Sequence, residues 1–488
     1  MSNEIRNLQP KQLWNHFSDL NAVPRASKKE ERVIQFIMDF GQKLGLSTQK
    51  DTTGNVIIRK PATPGMENRK AIVLQSHLDM VHQKNSDTVF DFDHQGIDMY
   101  INDGWVKARG TTLGADNGIG VATIMTILAA DNITHPTIEA LFTIDEETGM
   151  TGAMGLEGGL LTGEILLNLD TEEDNEIDIG CAGGMDVTAS MSYSTEKCEP
   201  ASYTGYTITV KGLLGGHSGI DIHRGRGNAN KIQNRLLYGL ADEMGLRISE
   251  ITGGSLRNAI PRESTAKVAV PKSYSMPFVK VINERIQDIK NEYHSIEPNL
   301  DIAISESDCP EEYMSAEAQV AVFNAIYSAH NGVFRMSPDI KDLVEASNNV
   351  AKVEIKGGKA NILCLTRSSV ESSKYDVARS LKACFEMAGF DVLFSGVYPG
   401  WKPNPDSQIL KVLSEIYEKQ HGTKPHIVAC HAGLECGILG RNYPKLDMIS
   451  YGPTIKGAHS PDEMVNIASV QKFWDFTLEI LKNIPVKG

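Results

Sequence analysis

An α/β fold with a mostly parallel central sheet flanked by helices, interrupted by a large α+β insert, is what this 488-residue sequence predicts. Three observations carry that expectation. First, AIVLQ (71–75), ALFTI (140–144), EILLNLD (164–170) and LDMISYG (446–452) are short, almost wholly apolar runs, the texture of strands covered on both faces. Second, helical segments alternate with them, as layers of helix on both sides of a parallel sheet require. Third, the texture changes between about 187 and 397, where strands alternate polar and apolar residues and longer helices separate them.

The elements follow in chain order. Residues 29–45 (KEERVIQFIMDFGQKLG) place Val33, Phe36, Ile37 and Phe40 at helical spacing. Residues 117–131 are nearly all apolar, so that helix is expected at the centre of the fold. In the insert, YTGYTITVKG, STAKVAVP, AKVEIKG and NILCLTRSS read as strands, and the α/β texture resumes near Tyr398-Pro399-Gly400-Trp401. The expected organisation is therefore 1–186 and 398–488 as one domain, with 187–397 inserted. At about 210 residues the insert has room for two similar halves, although no sequence repeat marks them.

Composition narrows the class. Hydrophobic residues at 41% and charged residues at 23% describe a soluble globular protein. A formal net charge of −14 argues against nucleic acid or anionic membrane as a partner. The longest apolar run, VATIMTILAA (121–130), is half the ~20 residues a membrane span needs. The N-terminus MSNEIRNLQPKQLW shows no secretory signal. Seven scattered cysteines, without a CxxC pair, fit reduced thiols. A cytoplasmic location is expected.

The chemistry is expected where the strands end. His77 and Asp79 lie just past AIVLQ, Glu146 and Glu147 just past ALFTI, and Asp170 ends EILLNLD. Open parallel sheets form their sites outside the carboxyl ends of strands, so three strands deliver histidine and carboxylate to one rim. Asp116 sits in the glycine-rich turn TTLGADNGIG at the start of the apolar helix, with a helix N-terminus behind it. His459 in GAHSPDE precedes a stretch where Ser460, Pro461 and Glu463 read as N-cap, first-turn proline and capping-box acid.

Two histidines and three carboxylates suit a pair of zinc-like ions with one bridging carboxylate. Three carboxylates crowded without cations would repel one another. Of the adjacent pair, Glu147 is expected as ligand and Glu146 as the general base, which must reach the water without occupying a coordination position. Asp79, two residues beyond His77, is placed to hold the second imidazole N–H.

The motifs QSHLDMV, ARGTTLGADNGIG, DEETG, GCAGG, GGHSG, RNAIPRE and HAGLECG run from near the N-terminus to HSPDE near the C-terminus. Together they resemble the co-catalytic zinc peptidases that include carboxypeptidase G and aminoacylase, and within them the bacterial Xaa-His dipeptidases. The resemblance implies one ion on His77, Asp116 and Asp170 and a second on Asp116, Glu147 and His459. It implies a cis peptide between Asp116 and Asn117, although many relatives carry a second aspartate where this chain has Asn117. The insert would serve as a lid. His217 would support the developing oxyanion, Asn258 would hold the substrate backbone or oxyanion, and Arg367 would grip its carboxylate. The implied cofactors are two divalent ions, zinc first, with manganese or cobalt as alternatives. The implied substrates are unblocked dipeptides such as β-alanyl-histidine; deacylation of N-acyl amino acids and tripeptide cleavage are the alternatives. A homodimer is possible within the family, and His431, Gly433 and Glu435 are expected to wall the substrate pocket.

Overall fold

Four parallel strands stand at the middle of an eight-stranded sheet: Ile138–Thr143, Ile72–His77, Ile165–Asn168 and Asp447–Ser450, in that spatial order. Their residues are almost all buried, because helices cover both faces. Ile72 pairs with both Ile138 and Ile165, and Asp447 with Ile165, so the strands are level and their carboxyl ends form one rim. Beside this centre the pairing turns antiparallel on both sides. Val56–Lys60 and Ser47–Lys50 extend one side antiparallel, and Glu176–Cys181 lies antiparallel to Asp447–Ser450 on the other. The structure is a computed structural model and describes residues 4–488.

The apolar helix is Ala115–Ala129; it packs on Ile72–His77 and on the helix Lys11–Leu20, which explains why it lacks a polar face. The helix Glu31–Lys43 buries Val33 and Ile37 while Phe36 and Phe40 are half-buried. A small four-stranded sheet pairs Met464–Asn466 with Trp105–Ala108. It ties the chain just before Asp116 to the chain just after His459. No helix among the described residues is long and apolar enough to cross a membrane, and all seven cysteines are free thiols.

These elements form one compact unit, comprising residues up to Gly180, Trp401–Ala429 and Leu434–Gly488; Cys181–Gly400 and Cys430–Gly433 form a second. The second unit is built on a nine-stranded sheet in which one pattern occurs twice. Tyr203–Lys211, helix Ala229–Leu237, Arg247–Gly253, Ser264–Pro271, helix Ser275–Tyr293 and Asp301–Ser307 make a βαββαβ half with strands in the spatial order fourth, first, third, second. Gly183–Ser192, helix Ala316–Ser328, Val344–Lys356, Lys359–Ser368, helix Glu371–Met387 and Asp391–Tyr398 make another with the same neighbours. The halves join through their second strands, Ile251 opposite Ile355, in antiparallel pairing. The first half is inserted between the first strand and first helix of the other, so the duplication is interleaved in the chain.

The GCAGG segment has a packing explanation. A Cβ on Gly183 would lie 2.4 Å from Gly400 N and 2.5 Å from Tyr398 O, both backbone atoms that cannot step aside. Gly183→Ala should therefore destabilise the second unit by about 1–3 kcal/mol, the cost of overpacking, read as an earlier transition in denaturant unfolding.

Candidate metal centre

The rim of the parallel sheet gathers the candidate ligands. His77 ends its strand, 1% exposed, with Nε2 3.1 Å from Asp116 Oδ1 and 3.5 Å from Asp170 Oδ1. His459 Nε2 lies 2.9 Å from Glu147 Oε2 and 3.3 Å from Asp116 Oδ2. Three groups of donor atoms gather at this rim, each within 4.8 Å: His77–Asp116–Asp170 and Asp116–Glu147–His459, which share Asp116, and His77–Glu146–Glu147, which brings in Glu146. Asp116 turns one oxygen toward each histidine, the disposition a bridging carboxylate needs. Three carboxylates and two imidazoles at this spacing form a donor set that fits two divalent cations.

The charges already lean on one another. Burial alone would lower the His77 pKa, but Asp170, Asp116 and Asp79 more than offset it and hold the imidazole well above its ordinary value. His459 is raised to about 11 by its bonds to Asp116 and Glu147. Burial pushes Asp170 up to about 6, and burial also raises Glu147, with Asp116 adding to it. Burial would raise Asp116 as well, yet the two histidines bring it far below the usual carboxylate range. Protons therefore sit on the imidazoles that a cation must displace.

Glu146 is raised well above its ordinary value, first by burial, then by Asp170, Glu147 and Glu435 against the pull of His77. Asp79 does more than face His77, whose Nδ1 is 3.4 Å from its Oδ1. It accepts the backbone N–H of Glu146 at 3.0 Å, the N–H of Glu147 at 3.3 Å and the Ser27 hydroxyl at 2.8 Å. The third acid of the run, Asp145, is no member of these groups. At φ 56° it takes the side chains of Lys28, Thr148 and Thr151 and shapes the turn that aims its neighbours. Another close group, Glu30–Asp79–Asp145, has these same partners.

The Asp116–Asn117 peptide is cis, and the helix kinks there. Asn117 Nδ2 donates to Leu169 O at 2.6 Å and to Asp170 Oδ1, so the residue after one ligand orients another. A Cβ on Gly120 would sit 2.4 Å from Asn117 Oδ1, which leaves room only for glycine.

One expectation fails here. Ser460, Pro461 and Glu463 do not open a helix; they form a turn, Met464–Asn466 is a strand, and the helix Ile467–Lys482 starts behind Asn466. Glu463 instead reaches across to the Asp116 turn. Its carboxylate accepts the N–H groups of Leu113, Gly114, Ala115 and Asp116 at 2.7–3.2 Å. Pairing with the small sheet brings it there, and no local pattern announces it. Burial pushes Glu463 up to about 7 against the pull of those N–H groups. Arg25, also missed by sequence reasoning, is fully buried and donates to Leu78 O, Asp79 O and Gly114 O. It is the cation beneath the acidic rim, tying the His77 strand end to the Asp116 turn.

In the second unit, Arg367 on Lys359–Ser368 is 4% exposed and donates to Ser218 Oγ at 3.2 Å and Tyr398 Oη at 2.9 Å. Its Nη2 is 3.3 Å from His217 Nε2. Asn258 lies on the neighbouring loop, where its carbonyl accepts the Ser218 N–H at 2.8 Å. His431 Nε2 contacts Ser347 Oγ at 2.8 Å, and burial, with Arg367 and His217 nearby, lowers it to about 3. The expectation that Glu435 walls the pocket also fails: it is wholly buried under the first unit's sheet, bonded to Gln75 and Thr143.

With this geometry in view, the family model for peptidase family M20/M25/M40 matches residues 73–483. The chain belongs to that family. It is a hydrolase. It is 43% identical to the cytosol non-specific dipeptidase of Escherichia coli over 99% of this chain and 100% of that protein. Its structure superposes on the crystal structure of an aminoacylhistidine dipeptidase from Vibrio alginolyticus with a TM-score of 0.92 and 46% identity, covering 99% of both chains. An aminopeptidase from Bacillus cereus, 18% identical and covering 98% of this chain and 99% of that one, shares the fold at a TM-score of 0.56.

The carboxylate of Glu463 is the group on which the Asp116 turn hangs. Glu463→Gln replaces one acceptor oxygen with an amide that cannot take those N–H groups. It should weaken metal affinity or activity by about 10–100-fold while all five candidate ligands remain, as measured by competition with a zinc chelator dye.

Proposed function

We propose that the protein is a cytoplasmic dipeptidase that uses two divalent metal ions, zinc foremost, to hydrolyse unblocked dipeptides including Xaa-His dipeptides such as β-alanyl-histidine. The observation that carries the proposal is the pair of donor groups sharing Asp116, with the half-buried Glu146, its pKa raised, beside them. Two relatives similar over nearly the full chain bear dipeptidase names, and one of them is an aminoacylhistidine dipeptidase.

In this reading His77, Asp116 and Asp170 hold one cation and Asp116, Glu147 and His459 the other. Such ions, when bound, make a water acidic near neutrality and polarise the scissile carbonyl. Glu146 accepts the proton of the attacking water and returns it to the leaving nitrogen. Its raised pKa suits both halves of that task. Asp79 fixes His77 and, through two backbone N–H groups, the position of Glu146 itself.

Recognition is assigned in this reading to His217, Asn258 and Arg367. His217 Nδ1 lies 3.2 and 3.1 Å from the N–H groups of Gly219 and Ile220, and its Nε2 lies 3.3 Å from Arg367 Nη2, so the imidazole is held against the guanidinium. In this reading Arg367 takes the substrate carboxylate, His217 supports the oxyanion and Asn258 holds the substrate backbone.

The test is hydrolysis by metal-stripped and zinc-restored protein of β-alanyl-histidine, α-dipeptides, a tripeptide and an N-acetyl amino acid. Metal-dependent cleavage confined to free dipeptides is the expected result. Faster cleavage of the acetylated compound would make the enzyme a deacylase. Glu146→Gln should lower kcat by at least about 10²–10⁴-fold with both ions retained; near-normal turnover would remove Glu146 from the role of base.

A further inference from the structure

Beneath the ligand rim, a row of buried polar side chains crosses the sheet from strand to strand. Glu435 Oε2 accepts hydrogen bonds from Gln75 Nε2 and Thr143 Oγ1, each at 2.6 Å. Gln75 Oε1 accepts from Asn168 Nδ2 at 2.5 Å, and Asn168 Oδ1 accepts from Ser450 Oγ at 2.5 Å. Thr171 Oγ1 lies 2.8 Å from Ser450 Oγ and 2.8 Å from Asp178 Oδ2. Every member is at most 7% exposed. None has a part in the proposed mechanism.

Counting hydrogens along the row gives a definite answer. Gln75 turns its NH2 group to Glu435 and also to Thr143, 3.1 Å away, so its carbonyl faces Asn168. Asn168 must donate there, and its own carbonyl then takes the single proton of Ser450. Ser450 can now only accept, which consumes the single proton of Thr171. One contact is left, between Thr171 Oγ1 and Asp178 Oδ2. Two oxygens at 2.8 Å in a dry interior need a proton between them, and only Asp178 can supply it.

We infer that Asp178 is a neutral carboxylic acid in the folded protein, that it donates the terminal hydrogen bond of this six-residue chain, and that it is thereby a positioning residue for the metal-bearing strands. The chain links the strand of His77 (through Gln75), the segment around Asp170 (Asn168 and Thr171) and the strand that leads to His459 (Ser450). Thr143 adds the strand that leads to Glu147. Burial first, then the carboxylates of Glu176 and Asp170, push Asp178 up to about 7 against the bond from Thr171, with His426 acting on Glu176; burial pushes Glu435 at the other end up to about 8, so the geometry of the chain decides where the proton lies. Reversing both amides would let Thr171 donate to an ionised Asp178. It would also set the Gln75 carbonyl against Glu435 Oε2, moving the required proton to that end of the chain.

The test compares the zinc-loaded parent with Asp178→Asn, Asp178→Ala and Glu435→Gln, by melting temperature from pH 5 to 8 and by kcat and KM for dipeptide hydrolysis. A carboxyl whose folded pKa is raised holds a proton that the unfolded chain releases, so parental stability falls as pH rises between about 4 and 7. An asparagine amide donates to Thr171 without titrating. Asp178→Asn should melt close to the parent at pH 5 and gain on it by about 1–3 °C per pH unit up to pH 7. Asp178→Ala, which leaves Thr171 without a donor, should melt lower at every pH and lose kcat several-fold at unchanged KM. If the alanine variant does not fold, the asparagine series alone decides. A difference between Asp178→Asn and parent that is flat with pH, or damage at pH 5 equal to that of alanine, would overturn the inference. So would a pH-dependent gain shown by Glu435→Gln instead, since the proton would then belong to Glu435.

Discussion

Repulsion among Asp116, Glu147 and Asp170 is the constraint around which the first unit is organised. Burial raises Glu147 and Asp170, and the neighbouring carboxylates add to it. Two imidazoles threaded between them take up protons to compensate, which is why His77 and His459 are shifted upward despite the burial that opposes it. A cation pair replaces those protons with fixed charge. The geometry is thus arranged for charges that the polypeptide alone supplies only by protonation, and the energetic cost of that arrangement has to be met elsewhere in the fold.

The supports are local and specific. Glu463 gathers four backbone N–H groups of the Asp116 turn, Asp79 gathers two from the Glu146–Glu147 turn, and Asn117 directs Asp170. Arg25 lies under all of them, its guanidinium kept charged though burial lowers it to about 10. Each support is itself a buried charge or amide. Loss of one partner would leave the other without compensation, a penalty larger than the bond's net worth. The rim is rigid for this reason, and rigidity is what a metal pair at fixed separation requires.

The sequence displayed the strands and their terminal ligands because both obey local rules. Apolar runs mark covered strands, and the residues just beyond them lie at the carboxyl rim by construction. What it hid depended on contacts far apart in the chain. GAHSPDE reads as a helix start, since a serine, a proline and an acid at that spacing usually are one. Only the pairing of Met464–Asn466 with Trp105–Ala108 turns Glu463 toward Asp116, roughly 350 positions earlier, and no local pattern encodes that. Glu435 shows the same limit: HAGLECG reads as a wall of the substrate pocket, yet the acid begins a helix that directs it into the interior. The two halves of the insert were hidden for another reason. One is threaded inside the other, so their elements are not consecutive, and matching topology needs only matching polar alternation rather than matching residues.

The polar row under the rim follows from the same constraint. A parallel sheet buried on both faces would ordinarily be filled with Val, Ile and Leu, as at Leu74, Leu166 and Ile449 here. On the layer below the ligands this protein places Gln75, Asn168 and Ser450 instead, one per strand and all satisfied by one another. Apolar contact is non-directional and tolerates small slips between strands, whereas a row of directional bonds fixes how far each strand end protrudes. Stability per residue is lower for such a row than for an aliphatic layer. It is retained where register decides function, directly beneath side chains that must meet the same ions.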